Sequence, residues 1–181
     1  MQPRAGVAEL AYARAKDAGY TRCVASSLRV LAGVSYCKGD HQAARLFIGD
    51  ALEAEALRLR ITLACLVPDD GDLGAARVLL AESLDTALKR HSQRNLAECL
   101  DAFACLAAAC NQPERALRPA GVAEAMYARM GTLRWPVELI GWKRWLEPAC
   151  GSLATEDAAR AKAVGRVLTI EEAVVDALTI S

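Results

Sequence analysis

Four groups of side chains in this 181-residue chain have types and spacings that could do chemistry. PDDGD, residues 68–72, gathers Asp69, Asp70 and Asp72. Three carboxylates suit a calcium ion, but the loop length and the downstream Glu of an EF-hand are missing. The segment reads as a solvated turn whose Asp72 caps the next helix. Cys37 and His41 are close enough in sequence to pair as nucleophile and base. No third group orients them, and Gly39 and Asp40 read as a turn between them. Cys99, Cys105 and Cys110 share one predicted helix. At about 100° per residue, Cys99 and Cys110 fall on one face roughly 16 Å apart, with Cys105 elsewhere. That geometry closes neither a metal site nor a disulfide. Arg134, Lys143 and Arg144 with Trp135 and Trp142 resemble a base-stacking, phosphate-binding patch in composition. Zero net charge, 22 basic against 22 acidic residues, argues against nucleic acid. The sequence therefore assigns no catalytic, cofactor or metal residue and reads as a non-enzyme.

What positions these residues is helical. The chain is 54% hydrophobic and only 5% aromatic, dominated by alanine and leucine. Such residues favour helices, and β-branched runs are scarce. The N-terminus has no continuous apolar core and reads as an amphipathic helix over Arg4–Ala18. Leu59–Val67 is the most apolar run, but it carries Arg60 and is too short to cross a bilayer. Seven cysteines without a CxxC fit buried free thiols in a reducing cytoplasm.

A repeat organises the helices. GDHQAARLFI (39–48) and GDLGAARVLL (71–80) are near-echoes, each with a Gly-Asp turn and an N-cap candidate, Asp40 or Asp72. Helices are predicted over 40–55 and 72–90. The first carries Ala44, Phe47, Ile48 and Ala51; the second carries Leu73, Ala76, Leu80, Leu84 and Ala87. A third copy, residues 111–131, has Pro113 in its first turn and the stripe Ala116, Ala120, Ala123, Tyr127 and Met130. A different helix precedes each copy: Val24–Cys37, Arg58–Val67 and Asn95–Cys110. Ala32, Ala64 and Ala104 stand twelve positions before Ala44, Ala76 and Ala116. Small residues facing each other let antiparallel helices approach closely, and each pair stacks on the next.

These residues resemble the tetratricopeptide repeat, with Ala51, Ser83 and Ala123 as its further small position. The helix-opening aromatic is replaced by Leu28, Arg60 and Leu100, and the offsets of 32 and 40 residues depart from the usual 34. Residues 95–131 and 166–178 resemble the closing region of LuxR-type, MalT-like and AfsR-like ATP-dependent bacterial transcriptional regulators and related cyclase–ATPase–repeat proteins. The resemblance implies a tetratricopeptide-like α-solenoid over 1–131 with C-terminal capping helices over 132–181 of the same domain. It departs from the pattern at Pro119, which is expected to kink or break helix 113–130. No GxxxxGK[ST] loop occurs, so the chain reads as a fragment, short paralogue or relic of a longer regulator.

In such a stack the first helices of each pair line a groove. Its expected lining is Ser26, Arg29, Tyr36, Arg58, Ile61, Glu98, Asp101 and Cys105. Arginines at one end and carboxylates at the other would bind a protein or peptide partner in one polarity. An apolar pocket near Tyr36 and Ile61 would favour a small effector instead. RWPVELIGWKRWLEP (134–148) is expected to place Trp135, Leu139, Trp142 and Leu146 on one core-facing helical stripe. His91 and the Lys89–Arg94 cluster read as cations complementing the dipole at the end of helix 72–90. Thr169 with Glu172 forms a capping box before a final helix whose apolar face is Ile170, Ala173, Val174, Ala177 and Leu178.

Overall fold

Short polar caps and left-handed turn residues set the helix ends. A computed structural model describes residues 2–17, 20–66, 72–134 and 138–180; the side chains of 2–5, 21–22, 62–66 and 138 fall outside that description. The helices are α1 (Gln2–Asp17), α2 (Thr21–Cys37), α3 (His41–Leu66), α4 (Leu73–Lys89), α5 (Gln93–Ala109) and α6 (Pro113–Met130). They continue with α7 (Glu138–Gly141), a π-helical turn (Trp142–Leu146), α8 (Glu147–Gly151), α9 (Thr155–Val167) and α10 (Ile170–Leu178). Among the described residues there is no strand, as expected of an all-α chain.

Four of the connections share one geometry, that after Gly131 (φ 62°, Thr132 N–H to the Tyr127 carbonyl at 3.1 Å) and three others. Gly39, His91 and Asn111 take positive φ (80°, 52° and 56°). The next residue's N–H then reaches back to close the preceding helix: Asp40 to the Ser35 carbonyl at 3.0 Å, Ser92 to Ala87 at 3.0 Å, Gln112 to Ala107 at 2.9 Å. This left-handed closure satisfies carbonyls that a helix end leaves open. Asp40 and Asp72 then accept from the N–H of Ala43 and Ala75, each at 2.9 Å. Both are the caps expected from the Gly-Asp echoes. The Thr169–Glu172 capping box is also present.

The chain divides into two compact units, 1–59 and 60–181. In the first, α1 packs on α2, and Leu28, Leu31, Ala32, Ala44, Ala51 and Ala54 are buried. In the second, α5 is central: α4, α6, α7, the π turn and α10 all pack against it. Ala76, Ala104 and Ala116 are fully enclosed, so these small residues are core.

Several expectations need correction. No turn separates a helix 40–55 from a helix 58–67, because α3 runs unbroken through both. ALEAEALRLR holds strong helix formers and no Gly, Pro or Asn to stop it. Ile48, assigned to the packing stripe, is half exposed on the shoulder of the buried arc. Leu63, Ala64, Val67 and Trp135 lie outside the described side chains. Pro119 does not break helix 113–130; it is buried within α6. Arg94 is not a surface cation closing α4; it lies in α5, 1% exposed. The 138–151 run changes to π-helical winding at Trp142, so the expected stripe is not continuous. Leu146 is buried and Leu139 is exposed. Of the six described cysteines, all free, only Cys99 and Cys105 are buried; Cys23 and Cys37 are exposed.

A contact not anticipated from the sequence joins α6 to α9. A Cβ on Gly121 would overlap the carbonyl oxygen of Lys162, and one on Gly165 would overlap that of Arg118. The two backbones therefore cross at reciprocal glycines, and both obstacles are main chain, which cannot swing away. Gly33 in α2 has open space around its Cβ position. We expect Gly121→Ala and Gly165→Ala each to destabilise the chain by about 1–3 kcal/mol in chemical denaturation. Gly33→Ala should instead stabilise it by about 0.5–1 kcal/mol, the ordinary gain of a helical Gly-to-Ala change.

Candidate functional site

Two places gather polar groups against apolar walls. The first lies within residues 1–59. The three-residue turn 38–40 joins α2 to α3, and α1 packs on α2. Between them opens a groove of about 420 Å³. Its apolar walls include Leu28, Leu31 and Val34 of α2 and Phe47 of α3. Glu9, Tyr12, Ser35, Lys38 and Asp50 add polar groups. Lys38 sits at the turn, while Asp50 lies about 14 Å along α3 from its first residue, at 1.5 Å per residue. The groove thus has an apolar floor with a cation and a carboxylate at separated points.

The second is a charged cage on α5. The run Arg94–Ala107 is buried at every position, so its polar members face others across α5 or from neighbouring segments. Arg94 Nε donates to Glu98 Oε1 at 2.7 Å, and its Nη1 donates to the Leu133 carbonyl at 2.7 Å. Asp101 takes a two-pronged bond from Arg134, Nε at 2.6 Å and Nη2 at 2.9 Å. The Arg134 guanidinium lies 4.9 Å from the Tyr127 ring and 4.2 Å from the Trp142 ring. Burial opposes the charge on Arg134, but the hydrogen bond and charge of Asp101, with Tyr127 and Glu124, outweigh it and raise its pKa. A guanidinium held this way between aromatic faces stays protonated and fixed in direction.

Beyond the cage, Lys162 lies 5.4 Å from the Trp142 ring, and Arg166 of α9 donates to Glu124 of α6 at 2.8 Å. Partial burial raises Glu124. The Arg166 hydrogen bond and the charges of Lys162, Arg166 and Arg134 outweigh that and hold it below its ordinary 4.5. Cys110 and Cys150 are pushed up by burial, with Arg77 and Lys162 respectively offsetting part of it. Their thiols remain protonated at neutral pH. Among the described residues no cluster of three or more His, Cys, Asp or Glu could hold a metal ion.

The eight residues expected to line a groove do not share one open surface. Ser26, Arg29 and Tyr36 are exposed on α2. Tyr36 meets the His41 ring edge-on, centroids 5.2 Å apart, which places His41 beside an aromatic ring. Arg58 is half-buried and pairs with Glu55. Ile61, Glu98, Asp101 and Cys105 are buried. Glu98 and Asp101 are engaged by Arg94 and Arg134, and Gly141 lies against the Cys105 sulfur. Of the PDDGD cluster, only Asp72 lies among the described residues. The groove side chains Tyr12, Phe47, Lys38 and Asp50 were not singled out as a site. Their types are common on any amphipathic helix, and only the packing of α1, α2 and α3 brings them together.

Comparison with known protein families, curated proteins and solved structures gives no match to this chain.

The electrostatics at Glu124 carry a pH dependence. A carboxylate held below its ordinary value stabilises the folded chain above about pH 4.5, and that contribution is lost as pH falls through the folded value. The wild-type denaturation midpoint should therefore fall more steeply between about pH 5 and pH 3 than that of Glu124→Gln. Parallel slopes would show that the Arg166 contact does not bias the titration.

Proposed function

We propose that the chain is a non-enzymatic interaction or signal-sensing module, a counterpart of the C-terminal helical-repeat arm of LuxR-type, MalT-like and AfsR-like regulators. Its α-helices present surfaces to a protein or peptide partner, another domain of a regulator being one such partner. The observation that carries this reading is the groove between α1, α2 and α3. It offers Phe47, Leu31 and Val34 as apolar contacts and Lys38 and Asp50 as charges that fix the direction of a bound segment. Apolar anchors supply affinity and separated charges supply polarity. Ser26, Arg29 and Tyr36 are exposed elsewhere on α2. Free cysteines fit work in a reducing compartment, and no helix among the described residues is long and apolar enough to cross a membrane.

A second reading has its own support. The groove volume, about 420 Å³, falls within the range of small-molecule sites, roughly 300–1,000 Å³. An amphiphilic effector with an apolar body would fit its composition.

The test uses surface charges, so the fold is left alone. A photo-crosslinking residue is placed at Ala43, inside the groove, and at Val78, exposed on α4. The captured protein is then titrated against wild-type chain and against Lys38→Glu/Asp50→Lys. The reading expects capture at Ala43 but not Val78, and affinity weakened about tenfold or more by the charge swap, the order of 1.4 kcal/mol. Equal affinity for both chains would remove the groove as the partner site.

A further inference from the structure

In this structure, the face of α5 that a helical-repeat module would offer to a partner is already filled by the chain's own Arg134. We propose that the Asp101 cage is an exchangeable guanidinium site, occupied in cis by Arg134 and open to an arginine of a partner protein that carries an aromatic residue nearby. This rests on reading the chain as an interaction module, but at a different surface from the α1–α3 groove.

The contacts that hold Arg134 are generic. Arg94 Nη1 needs a main-chain carbonyl, here that of Leu133. Asp101 needs a planar two-pronged donor, here Arg134 Nε and Nη2. The guanidinium needs an aromatic plate opposite Tyr127, here Trp142 at 4.2 Å. A residue–Arg pair with a nearby Trp or Tyr presents the same carbonyl, guanidinium and aromatic plate. Asp101 and Glu98 are only 7% and 6% exposed. Removing the partner of a buried carboxylate is strongly destabilising, so the cage does not stand empty. It exchanges one arginine for another, and a ligand lacking the guanidinium cannot compete.

The segment now in place is incompletely satisfied. Leu133 is 87% exposed and Ile140 64% exposed, so large apolar side chains beside the clasp are held in water. Trp142, the plate over Arg134, opens the π-helical turn Trp142–Leu146, a winding rare in helices and frequent at functional sites. Trp145 Nε1, on that turn, is enclosed with no hydrogen-bond partner among the described residues. An enclosed donor without an acceptor is destabilising. Only Leu146 of that turn is buried. These features lower the cost of exchange.

The probe is a fluorescently labelled peptide of this chain's own sequence, TLRWPVELIGWKRWL, residues 132–146. It is titrated in trans against the full-length wild type, Arg134→Lys, and Arg134→Lys/Asp101→Asn. Lysine keeps the charge but loses the two-pronged geometry. The expected result is binding about tenfold tighter to Arg134→Lys than to wild type, because a weakened cis ligand competes less. Adding Asp101→Asn should remove that gain. N-acetyl-arginine amide, a guanidinium without the aromatic, should bind at least about a hundredfold more weakly than the peptide, a loss of two tenfold steps.

Equal peptide affinity for all three chains would overturn the proposal. So would comparable binding of N-acetyl-arginine amide, which would make the cage a small-cation site. If circular dichroism shows that either variant has lost helix, the wild type decides. Saturating peptide should speed amide exchange at Trp142–Leu146, and unchanged exchange would overturn exchange of the clasp. The Lys38 and Asp50 charge swap should not alter peptide binding. Failure here with intact groove binding removes only this inference; loss of groove dependence with intact peptide binding removes the groove reading alone.

Discussion

A helix enclosed on every side must neutralise each charge it carries, and α5 is such a helix. Arg94, Glu98 and Asp101 sit within its buried run from Arg94 to Ala107. Taking isolated charges out of water costs far more than a small domain can supply. Arg94 and Glu98, four residues apart, meet one part of the demand within the helix. The rest comes from Arg134, beyond α6 in the chain. The segment after α6 is therefore fixed in its course: it must return across α5 to bring a guanidinium to Asp101. Tyr127, near the end of α6, is drawn into the same arrangement because both arginines lie over its ring, at 4.8 and 4.9 Å.

The packing around α6 follows from that position. One flank faces α5, with Ala116, Ala120 and Ala123 fully enclosed. Another flank meets α9 at the Gly121–Gly165 crossing. Small residues serve both contacts, by different means. On the α5 side alanines permit close approach, and Leu100 and Phe103 of α5 are buried. On the α9 side even a methyl group is too large. Pro119 sits between these two contacts without ending the helix, because tertiary packing on both flanks outweighs the lost main-chain bond. Surface ion pairs such as Arg166–Glu124 then set direction more than stability.

The local features were legible in the sequence because their causes are local. A short acceptor before an apolar run gave the Asp40, Asp72 and Thr169 caps. The spacing of Ala76, Leu80, Leu84 and Ala87 identified a buried face, and all four are core. What could not be read was which neighbour covers each face. Periodicity marked Glu98, Asp101 and Cys105 as lying off the main stripe, which suggested a wet groove. It carries no information that Arg134 reaches Asp101 and that Gly141 lies against Cys105. The continuity of α3 was missed by imposing the repeat where the sequence has no breaker. The α1–α3 groove and the reciprocal glycines depend on contacts between separate helices, which single-chain spacing does not encode.

The central claim is that α5, with its charges neutralised, is the element about which residues 60–181 are organised. Native-state hydrogen exchange tests it most directly, because amides in the most enclosed element open only with global unfolding. The amides of Leu96–Ala107 should be the slowest in the chain and share one opening free energy equal to that of denaturant unfolding. If those amides exchange through local opening, as fast as those of α9 or α10, the enclosed helix is not what the fold depends on.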